Sequence, residues 1–135
     1  MVENWPTLNP GMKWGAAINF IPDNKGGTWA LLRTEPAINH FDASGKIVQS
    51  FGERAFVSGH GMCRDKDGNF WAGDSGPFQD NPATAGRGFQ MFKFSPEGKL
   101  LLALGKAGVS KAAPDTFIGP TACVALQNGD TWLSS

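Results

Sequence analysis

The 135-residue chain contains no tyrosine, and histidine and cysteine occur only twice each. No phenol is therefore at hand as a base anywhere in it. The cysteines, Cys63 and Cys123, form no CxxC pair. They read as two small buried apolar residues; a disulfide stays open as the alternative, because two isolated positions cannot decide it. Charge of one sign is not in excess: 12 Lys and Arg balance 12 Asp and Glu, with no long run of either. That leaves no electrostatic footprint for nucleic acid or an anionic membrane. Long apolar runs are missing too; stretches such as Leu100 to Leu104 fall far short of the roughly 20 residues a membrane span needs. Residues 1–13 carry no signal peptide, since Trp5, Pro6 and Pro10 interrupt and no apolar core follows. No phosphate-loop pattern surrounds Gly86-Arg87-Gly88, and Gly73-Asp74-Ser75-Gly76 lacks the spacing of a serine-hydrolase elbow. Sustained helical periodicity free of Gly and Pro is absent as well.

What is abundant is turn chemistry. The 18 glycines and nine prolines call for short elements and many turns, and all-β is the natural class. A degenerate repeat runs along the chain. Its first part is a tight turn followed by a Trp-led strand: Asp23 to Trp29, Asp65 to Trp71, and Gln127 to Trp132. Asn-Gly and Asp-Gly tolerate the positive φ that such turns require. Its second part is strand, turn, strand: His40 to Val48 matches Lys93 to Leu101, 53 residues later. The Trp recurs after 42 and then 61 residues, so loops are inserted, at 76–88 and 106–116. Four-stranded units of this length predict a β-propeller: a lead-in segment 1–13, a blade at 14–52, a blade with the inserted loop at 53–105, and an incomplete blade at 106–135. A small β-sandwich or barrel is the alternative. Too few units are present to close a ring, so the chain reads as a truncated piece of about two and a half to three blades.

Specific residues sharpen this. Trp5-Pro6-Thr7-Leu8 through Gly11-Met12-Lys13-Trp14-Gly15, then Ser58-Gly59-His60-Gly61-Met62 with Asp65-Lys66-Asp67-Gly68-Asn69-Phe70-Trp71 and Asp74, and finally Phe117-Ile118-Gly119-Pro120-Thr121, follow one another in order. Together they resemble the peptidyl-α-hydroxyglycine α-amidating lyase family, whose fold is a six-bladed NHL-type β-propeller. The resemblance implies zinc-dependent cleavage of a peptidyl-α-hydroxyglycine to a peptide amide and glyoxylate. It implies a zinc ion held by three histidines, a structural calcium ion, a substrate-binding arginine and a tyrosine base. On that basis Arg33 matches the substrate-binding arginine, His60 the first zinc histidine, and Met62 the position whose main-chain carbonyl meets calcium. The partner implied is a small peptide-like substrate, and bacterial relatives of this kind are often exported. An arginine fork suits a carboxylate, and three imidazoles leave zinc an open position.

Each assignment has a plainer counterpart. His60 would serve equally as a hydrogen-bonded channel histidine, Arg33 as a partner for Glu35, and Asp74 as a turn or blade-locking hydrogen-bond acceptor. His40 precedes a turn and reads as solvent-facing. Departures from the family pattern are clear: one of three zinc histidines is present, the tyrosine is missing, Phe89 stands where many relatives carry histidine, and Ile118 replaces a cysteine of a family disulfide. This chain alone is therefore expected to be inactive. Two other functions stay in view, a non-catalytic NHL-repeat binding module and a calcium-dependent propeller lactonase, for which Asn19 and Asp74 would be the ligands.

Overall fold

The computed structural model describes residues 3–135. It is all-β, with no α-helix among the described residues and only a one-turn 3-10 helix at Pro82–Thr84. Ten strands follow in order: β1 (Ala17–Pro22), β2 (Thr28–Leu32), β3 (Ile38–Phe41), β4 (Ile47–Phe51), β5 (Gly59–Arg64), β6 (Phe70–Asp74), β7 (Gln90–Phe94), β8 (Leu100–Leu104), β9 (Ala122–Ala125) and β10 (Thr131–Ser134). β1 to β4 form one four-stranded sheet and β5 to β8 another, each in sequential order; β9 and β10 form a hairpin. Every pairing within them is antiparallel, and no sheet closes on itself.

The turn residues set this meander. Gly26, Gly68 and Gly129 each stand three residues before a Trp and have φ of 87°, 83° and 99°. A side chain is strained in that region. Before two of these glycines an aspartate organises the loop. Asp23 Oδ1 accepts the N–H groups of Lys25 and Gly27 at 2.7 and 2.8 Å, and Asp65 Oδ1 accepts those of Asp67 and Asn69 at 3.0 and 2.9 Å. Trp29 lies opposite Ile21 and His40, and Trp71 opposite Cys63 and Lys93. Trp132 lies opposite Val124 alone, because β10 has no third strand beside it.

Alternation along each strand puts one face of the first sheet against the second. Trp29, Leu31, Ile38 and Phe51 meet Met62, Phe70, Phe92 and Phe94 in a single buried cluster, with Phe56 from the connection. Its spine is aromatic: Trp29 to Phe70 at 4.6 Å between ring centroids, and Phe51 to Phe94 at 5.4 Å. The lead-in segment covers the opposite face of the first sheet. There Leu8 packs on Ala30, Leu32 and Phe41, and Trp5 and Trp14 lie 6.4 and 6.3 Å from the Phe41 ring.

Two expectations from the sequence are corrected here. His40 does not face solvent. It sits on β3 directly opposite Trp29, so strand alternation turns it onto the Trp face, where the rings stack at 4.0 Å and its Nε2 lies 2.8 Å from Asp23 Oδ2. The second sheet repeats the arrangement with lysine in place of histidine: Lys93 Nζ lies 5.0 Å from the centroid of Trp71 and 3.8 Å from Asp65 Oδ2. Nor are the cysteines two free buried residues. Cys63 of β5 and Cys123 of β9 form a disulfide, with Cα atoms 5.7 Å apart. β9 runs alongside β5 without sharing its ladder, which brings the two sulfurs together from 60 residues apart.

Candidate functional site

The chemistry-bearing residues gather where β2 ends and β5 begins. On β5 the pairing with β6 skips a residue between Gly59 and Gly61, so His60 is the extra residue of a β-bulge. A bulge re-aims a side chain that the pleat would otherwise direct, and His60 is exposed although its neighbours Gly59 and Gly61 are buried. Gly61 is required by close packing: a Cβ there would fall 2.2 Å from the carbonyl oxygen of Thr121. That same carbonyl lies 3.1 Å from His60 Nδ1. A carbonyl can only accept, so Nδ1 carries the proton in this contact and neutral His60 presents the lone pair of Nε2. This is the tautomer and the backbone support that ligating histidines use.

Arg33 follows the last residue of β2. Its Nε donates to the carbonyl of Gly59 at 3.2 Å, the residue before His60, and its guanidinium lies 5.1 Å from the ring centroid of Phe78. The alternative pairing with Glu35 is not formed; Glu35 instead accepts the N–H of Arg54 at 2.9 Å. Arg33, Ser58, Phe78, Asn81 and Thr84 line an open cleft of about 540 Å³ between the sheet ends and the loop 76–88. A larger hollow, about 700 Å³, lies around Phe51, Arg54, Arg87 and Glu97 and does not include Arg33; His60 lines neither. In the cleft beside Arg33 the guanidinium lies over the Phe78 ring, and both side chains line it.

Met62 is placed differently. Its side chain is buried in the core between the sheets, and its N–H donates to Asn19 Oδ1 at 2.7 Å. Asp74 is fully buried. Its carboxylate accepts the N–H groups of Val57, Ser58 and Gly76 at 2.8, 2.8 and 3.1 Å. It thereby locks the connection before β5 to the end of β6. Asn19 and Asp74 are thus both engaged by backbone donors.

The donor set does not fit zinc or calcium. His60 is one imidazole in the ligating tautomer, but zinc sites take about three protein ligands. No group of three His, Cys, Asp or Glu side chains is assembled among the described residues. Calcium asks for six or more oxygens; the oxygen placed beside the Met62 backbone is Asn19 Oδ1, which accepts the Met62 N–H. Two features around Arg33 and His60 escaped the sequence. Phe78 lies in an inserted loop without a motif, and the Thr121 carbonyl is contributed from 61 residues away.

No family model matches the chain, and no curated protein matches it. Among solved structures it is similar to a protein of unknown function from Bacteroides caccae, with a TM-score of 0.51 and 18% sequence identity. The match covers 94% of this chain and 40% of that one. At that identity the likeness concerns the fold alone.

Proposed function

We propose that the chain is part of a six-bladed β-propeller of the amidating-lyase type, in which Arg33 binds the carboxylate of a small peptide-like ligand. The two repeating four-stranded sheets and the hairpin support the propeller reading. They stack through their first strands: β5 meets β1 at the Met62 to Asn19 bond and β9 at the Gly61 to Thr121 contact. One observation carries the ligand reading. Arg33 is held by its Nε on the Gly59 carbonyl, beside His60, while its remaining N–H donors stay available to a carboxylate fork. Phe78 forms the apolar wall of the same cleft. In this reading Arg33 orients the ligand and Phe78 excludes water from one side. Metal chemistry is not assigned to this chain by itself, because its donors do not make a site.

The single imidazole favours a second reading, a non-catalytic module that binds a peptide at the same cleft. The Cys63–Cys123 disulfide favours an oxidising compartment for either.

The test has two parts. A peptide ending in a free α-hydroxyglycine is titrated into the protein by NMR, and glyoxylate release is assayed with and without added zinc. Saturable binding, weakened at least tenfold in Arg33→Gln, is expected, with no glyoxylate released. Binding indifferent to Arg33 would refute the carboxylate site. Zinc-dependent release abolished by His60→Ala would show that one histidine suffices.

A further inference from the structure

Among the described residues, the hydroxyl of Ser58 is buried without a partner: the residue is 4% exposed, and its Oγ makes no hydrogen bond. Everything else in the residue is committed. Its N–H donates to Asp74 Oδ1 at 2.8 Å, and its carbonyl accepts both the N–H and the hydroxyl of Ser75, each at 3.1 Å. These are backbone bonds, so an alanine at this position would keep them all. The hydroxyl itself works against folding, because burying it forfeits hydrogen bonds to water and gains none in return. Native proteins carry few such groups, and each calls for a reason outside the packing. Position supplies the reason. Ser58 lines the cleft that Arg33 and Phe78 line, and the next residue, Gly59, holds Arg33 Nε on its carbonyl.

We infer that Ser58 is a specificity-determining residue of this cleft, whose Oγ reads a hydroxyl on the carbon next to the carboxylate that Arg33 binds. The inference rests on Arg33 taking that carboxylate. With Nε occupied by the Gly59 carbonyl, the guanidinium offers its two terminal nitrogens, an end-on fork that spans both carboxylate oxygens. Ser58 is left for the neighbouring group. A serine hydroxyl donates one bond and accepts others, so it pairs with a second hydroxyl in either sense and with a C–H in neither. A site built to bond a hydroxyl discriminates against the analogue that lacks it, since its own buried polar group then stays unpaired. The cleft can admit such a ligand. One wall of it, from Pro77 to Thr84, is held by hydrogen bonds inside the loop, Ala83 N–H to Asn81 Oδ1 and Thr84 N–H to Asn81 O, each at 2.9 Å. Seating a ligand against Ser58 therefore shifts loop and leaves the ladders intact.

Two peptides that differ by a single oxygen, one ending in α-hydroxyglycine and one in glycine, are titrated by NMR into the intact protein and into its Ser58→Ala and Arg33→Gln variants. The unaltered protein is expected to bind the hydroxylated peptide about tenfold more tightly, the equivalent of one hydrogen bond. Ser58→Ala should erase that preference by weakening the hydroxylated peptide alone, whereas Arg33→Gln should weaken both. Without ligand, Ser58→Ala should melt no lower than the unaltered protein, because it loses a group that bonds to nothing. Equal binding of the two peptides, with both still dependent on Arg33, overturns the role of Ser58 and leaves the carboxylate site standing. A preference that survives Ser58→Ala does the same. So does a fall in that variant's melting temperature, which would show the hydroxyl to be satisfied within the free protein. Binding indifferent to Arg33 removes the site, and the role of Ser58 with it.

Discussion

At the scale of single residues, aspartates do two different jobs. Asp74 is a buried hub for three backbone donors. Each buried N–H left without a partner costs about 1–3 kcal/mol. Asp74→Ala is expected to lower stability by upwards of about 3 kcal/mol in urea unfolding, with Asp74→Asn losing less because one acceptor remains. Asp23 instead organises a turn. Its carboxyl is held below the ordinary 3.8, chiefly by the hydrogen bond from His40, with the N–H groups of Lys25 and Gly27 adding to it. A depressed folded-state value stabilises fully above the ordinary value, and the contribution is lost as pH falls through the lower one. Asp23→Asn should therefore flatten the decline of melting temperature below about pH 4, followed by circular dichroism. The turn role of Asp23 was legible because Asp, Gly and the following Trp are local to one another. The place of His40 was not, since it depends on which residue of a neighbouring strand lies opposite it.

At the scale of elements, strands and turns were readable for the same local reason. Gly26, Gly68 and Gly129 mark equivalent points, and the apolar segments between turns are strand-length. The contact between β5 and β9 could not be read, because nothing local specifies a neighbour that shares no ladder. The disulfide makes that contact covalent. Closing a loop with a separation of 60 residues restricts the unfolded chain by about 4 kcal/mol in the chain-entropy model. The double replacement Cys63→Ser with Cys123→Ser is expected to lose stability of that order. Its β9–β10 amides should exchange faster than those of β2 or β6, which hydrogen–deuterium exchange would register. Equal protection across all three hairpins would mean that packing alone holds the third.

At the scale of the whole molecule, the first two sheets share a core while the outer strand of the second is bare. Leu100, Leu101 and Leu102 are 50%, 48% and 41% exposed on an unpaired edge. Such an edge pairs with other chains. Leu101→Lys should reduce self-association with rising concentration in sedimentation velocity, with little change in the melting temperature. The cysteine bridge has another consequence at this scale. It ties β5 to β9 and so encloses the loop 76–88, whose Phe78 is 74% exposed, within a covalent ring. Chymotrypsin cutting after Phe78 would open that ring without dividing the molecule. The nicked protein should migrate as one species without reductant and as two with it.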